Sequence, residues 1–431
     1  MTDNIKKPKD VTVAKAKGRP MLTWVGKKPL ARVRAYPAQA IERFDATAGQ
    51  TVPLQDADWG DWPKDLPKGG LLYHGDNKDV LAHLLANGFR GKVKLIYIDP
   101  PFDSGADYVR KVQLRGAKGT VKIDGEDYTL GEQVQYSDIW ANDNYLQFMY
   151  ERLLLLRELL REDGWIALHC DSARSAELRI LLNEVFGPGS FRNEVIWHYS
   201  GWNRFLEGTL NRRHDTIFFY AKSEESKLSR VAVPWESKEA YVAARKQKVH
   251  VSNDGREYVL SDAGSGQRVE RFLDEAIADG RPIDDVWKID KLNNSATEGR
   301  NYETQKPEAL VARIVDACSV AGDIVLDCFI GSGTTALAAQ NSGRRWICCD
   351  INRGAVQTTS KALQEKMRSW SSKSAEPQQA NLIETGSFAP LPVQLSFSTY
   401  RINDYDLHIQ HNEAVELACQ HLNAANLSQP S

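Results

Sequence analysis

The stretch Leu326-Asp327-Cys328-Phe329-Ile330-Gly331-Ser332-Gly333-Thr334-Thr335 (LDCFIGSGTT) runs from an apolar segment, through two glycines, into a helical pattern. Residues 323–328 read as a buried strand and 334–341 as a helix, so the glycines sit at a strand-to-helix turn. A turn of that kind lets a ligand approach the backbone closely, and the helix start offers free N–H groups. The next strand, 345–349, closes on Asp350, where a carboxylate can accept hydrogen bonds from ribose hydroxyls. A lone Gly-x-Gly fits a tight structural turn as well as a nucleoside cofactor site, and the stretch taken alone leaves both readings open.

Working outward, apolar strands keep alternating with helices. Residues 94–98 (KLIYI) form a short apolar run that ends at Asp99-Pro100-Pro101-Phe102, as expected of a buried parallel strand opening into a loop. A leucine-rich helix is expected over 145–162 with Gly164 as its stop, then a strand at 165–169 and a helix at 173–186. Strands at 194–198 and 216–220, then helices at 307–320 and 353–367, complete an α/β pattern with a mostly parallel sheet covered on both faces. At the end of the 94–98 strand the two prolines fix the loop and remove two N–H donors, leaving carbonyls and the Asp99 carboxylate as acceptors. Such a set suits an exocyclic amino group, which donates two hydrogens, and Phe102 offers a face for stacking a base. A plain strand-ending turn accounts for the same four residues.

Together these stretches resemble the S-adenosylmethionine-dependent DNA amino-methyltransferases of the permuted, beta order, in which Asp-Pro-Pro-Phe precedes Phe-x-Gly-x-Gly-Thr. Here Asp99 to Phe102 comes first and Phe329 to Thr334 follows. Further matching text is Tyr73-His74-Gly75-Asp76-Asn77, Arg213-His214-Asp215-Thr216 and Thr304-Gln305-Lys306-Pro307, so the resemblance spans roughly residues 71–361. It implies a doubly wound, mostly parallel, seven-stranded-type methyltransferase (Rossmann-like) sheet, circularly permuted, with a small inserted target-recognition module. It implies S-adenosylmethionine as cofactor, held by Asp76, Lys306, Asp327, Phe329, Gly331, Gly333, Thr334 and Asp350. It places the target base at Asp99, Pro100, Pro101 and Phe102. In the family an opening aspartate goes with adenine N6 and a serine with cytosine N4, so Asp99 favours adenine. Phe102 stands where tyrosine is commoner and keeps the stacking face; Cys328 replaces the usual proline or alanine.

The implied reaction is direct methyl transfer to an adenine flipped out of double-stranded DNA, a restriction-modification activity. No covalent nucleophile is needed, and no cysteine lies in a Pro-Cys pair of the kind ring-carbon methylation requires. The alternatives are a cytosine-N4 methyltransferase and a non-catalytic DNA-binding modification subunit that needs a partner. A homodimer and a restriction or defence-system subunit are the further partners implied.

Composition narrows the rest. The chain has 431 residues, six cysteines and a net charge of −2, with no zinc spacing or Cys-x-x-Cys pair, so no metal and no disulfide framework is expected. No apolar run reaches the ~20 residues of a membrane span, and a cytoplasmic, membrane-free protein is expected. Residues 1–70 read as a basic arm, over 1–35, followed by an irregular connection. The arm serves either to grip phosphate or as a solvated tail. Residues 71–221 read as the catalytic part with a basic insertion at 108–136, and 222–301 as the recognition module. That module carries Arg245, Lys246, Lys248, His250, Arg256, Arg268 and Arg271. Residues 302–371 read as the cofactor part and 372–431 as a tail of unassigned role with a weak helical pattern at 412–425.

Overall fold

In the computed structural model the described residues are 9–15, 21–47, 52, 54–101, 144–233, 235, 237–262, 266–292, 305–373 and 392–402. Phe102, the insertion at 108–136 and the pattern at 412–425 lie outside them. The strands, in chain order, begin with β1 Lys9–Thr12, β2 Arg32–Ala35, β3 Ala38–Asp45, β4 Gly70–His74, β5 Val93–Ile98, β6 Leu160–Cys170, β7 Phe191–His198 and β8 His214–Ala221. They continue with β9 Ala232–Val233, β10 Val249–Val251, β11 Glu257–Asp262, β12 Arg268–Phe272, β13 Arg281–Pro282, β14 Val286–Lys288, β15 Ile324–Asp327, β16 Arg345–Asp350 and β17 Ser396–Ile402. The helices are α1 Asn77–Ala86, α2 Asn144–Leu159, α3 Ser175–Phe186, α4 Lys238–Arg245, α5 Leu273–Ala278, α6 Glu308–Cys318, α7 Thr334–Asn341 and α8 Arg353–Lys373.

β5 is buried along its whole length because both faces of the sheet are covered. Ile96 and Ile98 face a core shared with α1, α2 and α3, while Leu95 and Tyr97 face one shared with α6, α7 and α8. In α2, Leu153, Leu154, Leu155, Leu156 and Leu159 are at most 1% exposed. Each such side chain contributes about 1.5–3 kcal/mol of apolar burial.

The central sheet has ten strands in the order β14-β7-β8-β6-β5-β15-β16-β4-β17-β3, and only β8 and β3 run against the rest. The seven-stranded expectation is therefore widened at both edges. Residues 1–70 are not simply an arm and an irregular connection: β3 pairs with β17, and β17 inserts between β3 and β4, so a stretch of the supposed tail is sheet interior. At the other edge β14, inside the span read as the recognition module, pairs parallel with β7.

The solvated-tail reading of the N-terminal arm also gives way over its described residues. β1 pairs with β2, and Val11, Val13, Trp24, Leu30, Val33 and Ala35 join the core over α1 and α2. Lys27 Nζ is 2.6 Å from Glu184, whose side chain is 1% exposed, and Arg157 donates to the carbonyls of Ala14 (2.8 Å) and Lys15 (2.9 Å). These buried bonds fasten the segment as a strap.

Gly164 does not stop a helix. The chain passes from α2 into β6 at Leu160, and Gly164 lies within β6, close to where its register with β5 shifts. A Cβ there would stand 2.8 Å from the Arg161 carbonyl oxygen. The span 222–301 holds a separate three-stranded sheet, β10-β11-β12, with its own small core of Tyr241, Val259, Leu273 and Ala276. Among the described residues no helix is long and apolar enough to cross a membrane, and no cluster of His, Cys, Asp and Glu is arranged to hold a metal.

Candidate active site

Four neighbouring parallel strands, β5, β15, β16 and β4, end at one edge of the sheet. Asp99 follows β5, Asp327 closes β15, Asp350 closes β16, and Asp76 lies two residues beyond β4. Carboxylates separated by up to 274 positions are thus brought to the edge where open α/β sheets receive ligands.

Asp327 is 2% exposed and works inside its own loop: Oδ1 accepts from the Phe329 N–H (2.8 Å) and Oδ2 from the Thr335 hydroxyl (2.6 Å). Burial pushes its carboxyl up to about 7, against the pull of those two hydrogen bonds. Gly331 has φ +52° and Gly333 φ +86°, the left-handed region that glycine tolerates best. At Gly333 a Cβ would stand 2.8 Å from Thr359 Oγ1, so position 333 is closed to a side chain twice over. Asp350 ties the turn to the next strand, its Oδ2 accepting from the Gly331 N–H (2.9 Å) and its Oδ1 from the Asn352 N–H (2.8 Å). A carboxylate oxygen can accept more than one hydrogen bond, so a ribose hydroxyl can share these oxygens with the turn. Thr334, 5% exposed, lies 3.0 Å from the Ser332 hydroxyl, and Phe329 packs 6.1 Å from the Phe148 ring.

Asp76 is committed to the scaffold. It caps α1 through the Lys78 N–H (2.7 Å) and receives the buried Arg152 guanidinium on both oxygens (2.9 and 3.0 Å). Lys306 touches both groups: its carbonyl accepts from the Thr334 hydroxyl (3.4 Å), and its ammonium pairs with Asp99 Oδ2. The other oxygen, Asp99 Oδ1, is buried and accepts no hydrogen bond among the described residues. Pro100 is buried beside it, Pro101 is half-buried, and Phe102 lies outside the described residues.

Behind Asp99 stands a set of polar side chains of which the sequence pattern had marked only Asp215, without a role. His169, the penultimate residue of β6, is fully buried, with Nδ1 3.1 Å from the Tyr97 hydroxyl and 3.7 Å from Asp99 Oδ1, and Nε2 3.3 Å from Asp215 Oδ2. A proton on Nε2 lets His169 donate to Asp215 and accept from Tyr97, which satisfies both ring nitrogens. Asp215 also accepts from the Tyr199 hydroxyl (3.0 Å), and Lys291 Nζ lies 3.8 Å over the Tyr199 ring. Burial pushes Asp215 up, but the His169 hydrogen bond, with the nearby Lys291 charge and the Tyr199 hydroxyl, outweighs it and leaves the carboxyl below its usual value. Burial also pulls the Lys291 ammonium down. The available signal was polar residues closing apolar strands: His169 after Ile166-Ala167-Leu168, and Asp215 before Thr216-Ile217-Phe218.

The cysteines nearest the glycine turn are not nucleophiles. Cys328, Cys348 and Cys349 are at most 2% exposed, and burial pushes each thiol well above its ordinary value, so none is poised as a thiolate.

A family model described as DNA methylase, for N6 and N4 methyltransferases, matches residues 93–361, which is more than half the chain and contains Asp99, Lys306, Asp327 and Asp350. The chain belongs to the DNA methylase family. Among the most similar curated members is the type III restriction-modification enzyme StyLTI Mod subunit of Salmonella typhimurium, 25% identical over 72% of this chain and 56% of its own length. The EcoPI Mod subunit of Escherichia phage P1 is 27% identical over 76% of this chain and 62% of its own. The DNA adenine methyltransferase YhdJ of Escherichia coli is 24% identical over 65% and 78%. The chain spans about half the length of the Mod subunits it matches. Among solved structures, the M1.HpyAVI-SAM complex aligns with a TM-score of 0.39 and 17% identity, covering 68% of this chain and 98% of that one.

Proposed function

We propose that this DNA methylase transfers a methyl group from S-adenosylmethionine to the exocyclic N6 amine of an adenine in double-stranded DNA, as the modification component of a restriction-modification or similar defence system. One observation carries the reading: a buried acceptor with no donor among the described residues, Asp99 Oδ1, on the same sheet edge as the Asp350 and Gly331 turn. The relatives support the choice of base and system, since one is named an adenine methyltransferase and others Mod subunits. Association with a second copy and with a restriction subunit belongs to the same proposal.

The residues present fit the cofactor. Asp350 closes its strand beside the glycine turn, where its carboxylate can accept from ribose hydroxyls, the start of α7 supplies backbone N–H groups, and several carboxylates favour a cation at this edge. S-adenosylmethionine bound there supplies an electrophilic methyl group on a sulfonium. On the protein's side, Asp99 Oδ1 and the Pro100 carbonyl accept the two amine hydrogens and aim the nitrogen lone pair away from themselves. The Asp99 carboxylate stands where positive charge develops on nitrogen. Lys306 anchors Oδ2, so that Oδ1 is presented in one orientation. Tyr97, His169 and Asp215 brace the same loop from behind. Asp327 holds the glycine turn in shape.

The test is methyl transfer from labelled S-adenosylmethionine to unmethylated genomic DNA, followed by digestion and identification of the labelled nucleoside. Label in N6-methyldeoxyadenosine supports the proposal. Label in N4-methylcytosine changes the base, and no label in any base, from protein that binds the cofactor, refutes it.

A further inference from the structure

The loop between β7 and β8, residues 199–213, contradicts the usual distribution of aromatic side chains. Trp202 is 94% exposed and Phe205 110%, and they are the only exposed tryptophan and phenylalanine among the described residues. Leu206 (48%) and Leu210 (89%) stand with them. Basic residues are interleaved, Arg204, Arg212 and Arg213 against the single acid Glu207, so the patch is apolar and cationic together. Its shape is set from within. Arg213 donates to the Trp202 carbonyl and to Asn203 Oδ1 (2.8 Å), and Asn211 brackets Arg204 from both sides (3.1 and 2.8 Å). The backbone is thus held while the aromatic rings point outward and pack on nothing.

Its position matters as much as its composition. β6 and β7 run parallel to β5 and β8 runs against them, so the loop leaves the same sheet edge as Asp99. Two to three strand spacings separate them, about 10–15 Å, or roughly three to four base-pair steps. Both stems are tied to the site: Tyr199 and Asp215, at the two ends of the loop, bond each other, and Asp215 bonds His169 beside Asp99.

We propose that this loop is a wedge for duplex DNA, with Trp202 and Phe205 entering the base stack beside the extruded base and Arg204 and Arg212 contacting the flanking phosphates. The proposal rests on the DNA-methyltransferase reading and adds how the duplex is opened. Cationic charge selects a polyanion, and flat rings beside it match the π faces of unstacked bases. A solvent-exposed tryptophan costs free energy in the unbound protein, which stacking recovers.

Inserted rings unstack and unwind a duplex, which closed-circular plasmid reports without knowledge of the recognised sequence. Relaxation of plasmid by a topoisomerase in the presence of the full chain is expected to shift the topoisomer distribution. The Trp202→Ala/Phe205→Ala variant should abolish that shift and weaken duplex affinity by about 10-fold or more, while its S-adenosylmethionine affinity stays that of the wild type. The slope of log affinity against log salt should be unchanged in this variant and shallower in Arg204→Ala/Arg212→Ala. Trp202→Phe should keep the shift. Identical topoisomer shifts and duplex affinities in wild type and the double aromatic variant overturn the wedge and leave the methyltransferase reading intact. A wild type that binds S-adenosylmethionine but neither binds nor methylates DNA overturns both.

Discussion

Thr335→Val removes one hydrogen bond from a buried carboxylate and leaves the volume nearly unchanged. The Thr335 hydroxyl is 2.6 Å from Asp327 Oδ2, and the Phe329 N–H, on Oδ1, then remains the donor to this carboxylate among the described residues. Burial pushes Asp327 up to about 7 in the folded protein, against about 3.9 when unfolded. A raised folded value means the stabilising contribution is full below the unfolded value and is lost as pH rises towards the folded one. Three units correspond to about 4 kcal/mol, surrendered progressively up to about pH 7. A hydrogen bond to a charged acceptor is worth about 1.5–3 kcal/mol against about 1 kcal/mol for a neutral one, so its loss raises the folded carboxyl by a further ~0.4 to 1.5 units. At about pH 6 Asp327 is mostly protonated in both proteins, and the variant loses about 1 kcal/mol, the worth of a neutral hydrogen bond. At about pH 9 the penalty grows to about 1.5–3 kcal/mol, because the wild type ionises against two donors and the variant against one. Denaturation of both proteins at the two pH values measures the difference. Equal penalties, or a larger one at the lower pH, would refute the assignment of Asp327 as a buried, near-neutral-titrating anchor of the glycine turn.

Three further outcomes follow from the same contacts. Lys27→Met strands the Glu184 carboxylate, 1% exposed, and should cost about 3–5 kcal/mol, most of it recovered in Lys27→Met/Glu184→Leu; a double-mutant denaturation cycle reads this directly. Gly333→Ala combines a left-handed backbone with a 2.8 Å approach to Thr359 Oγ1 and should cost about 2–5 kcal/mol in stability while weakening S-adenosylmethionine binding, measured by thermal melting and calorimetry. Asp215 has a lowered carboxyl, so its contribution is present above the usual carboxylate value and lost as pH falls through it; Asp215→Ala should flatten the acid side of the stability profile and depress methyl transfer.

The strands nearest the site were legible because burial on both faces writes itself as apolar runs: 94–98, 323–328 and 345–349 correspond to β5, β15 and β16. The sheet's outer strands were hidden for the opposite reason. β3, Ala-Gln-Ala-Ile-Glu-Arg-Phe-Asp, is an edge strand exposed on nearly every residue and carries no apolar period. β14 has three residues, too few to show one, and β17 follows a proline-containing stretch and mixes serine and threonine with aromatics although most of it is buried. The strap over α1 and α2 looked like a basic arm because its lysines outnumber its anchors; Val11, Val13 and Trp24 are scattered singly among charges. The Asp99 and Asp350 ends were visible as motifs, whereas the contact of His169 with Asp215 joins positions 46 apart in separate strands and needs the sheet register to appear. Two of the arginines read as DNA contacts are engaged elsewhere: Arg256 pairs with Asp274 and Glu275, and Arg271 with Asp279, while Arg245, Lys246 and Lys248 remain exposed after α4.

The claim that one sheet edge holds two separable sites, cofactor at Asp350 and base at Asp99, is tested most directly by S-adenosylmethionine titration calorimetry on Asp99→Ala, with methyl transfer to DNA measured on the same preparation. The account predicts a dissociation constant near the wild-type value and transfer reduced by roughly 100-fold or more. Loss of cofactor affinity in step with transfer would contradict it, and would place Asp99 in the cofactor site instead of at the base.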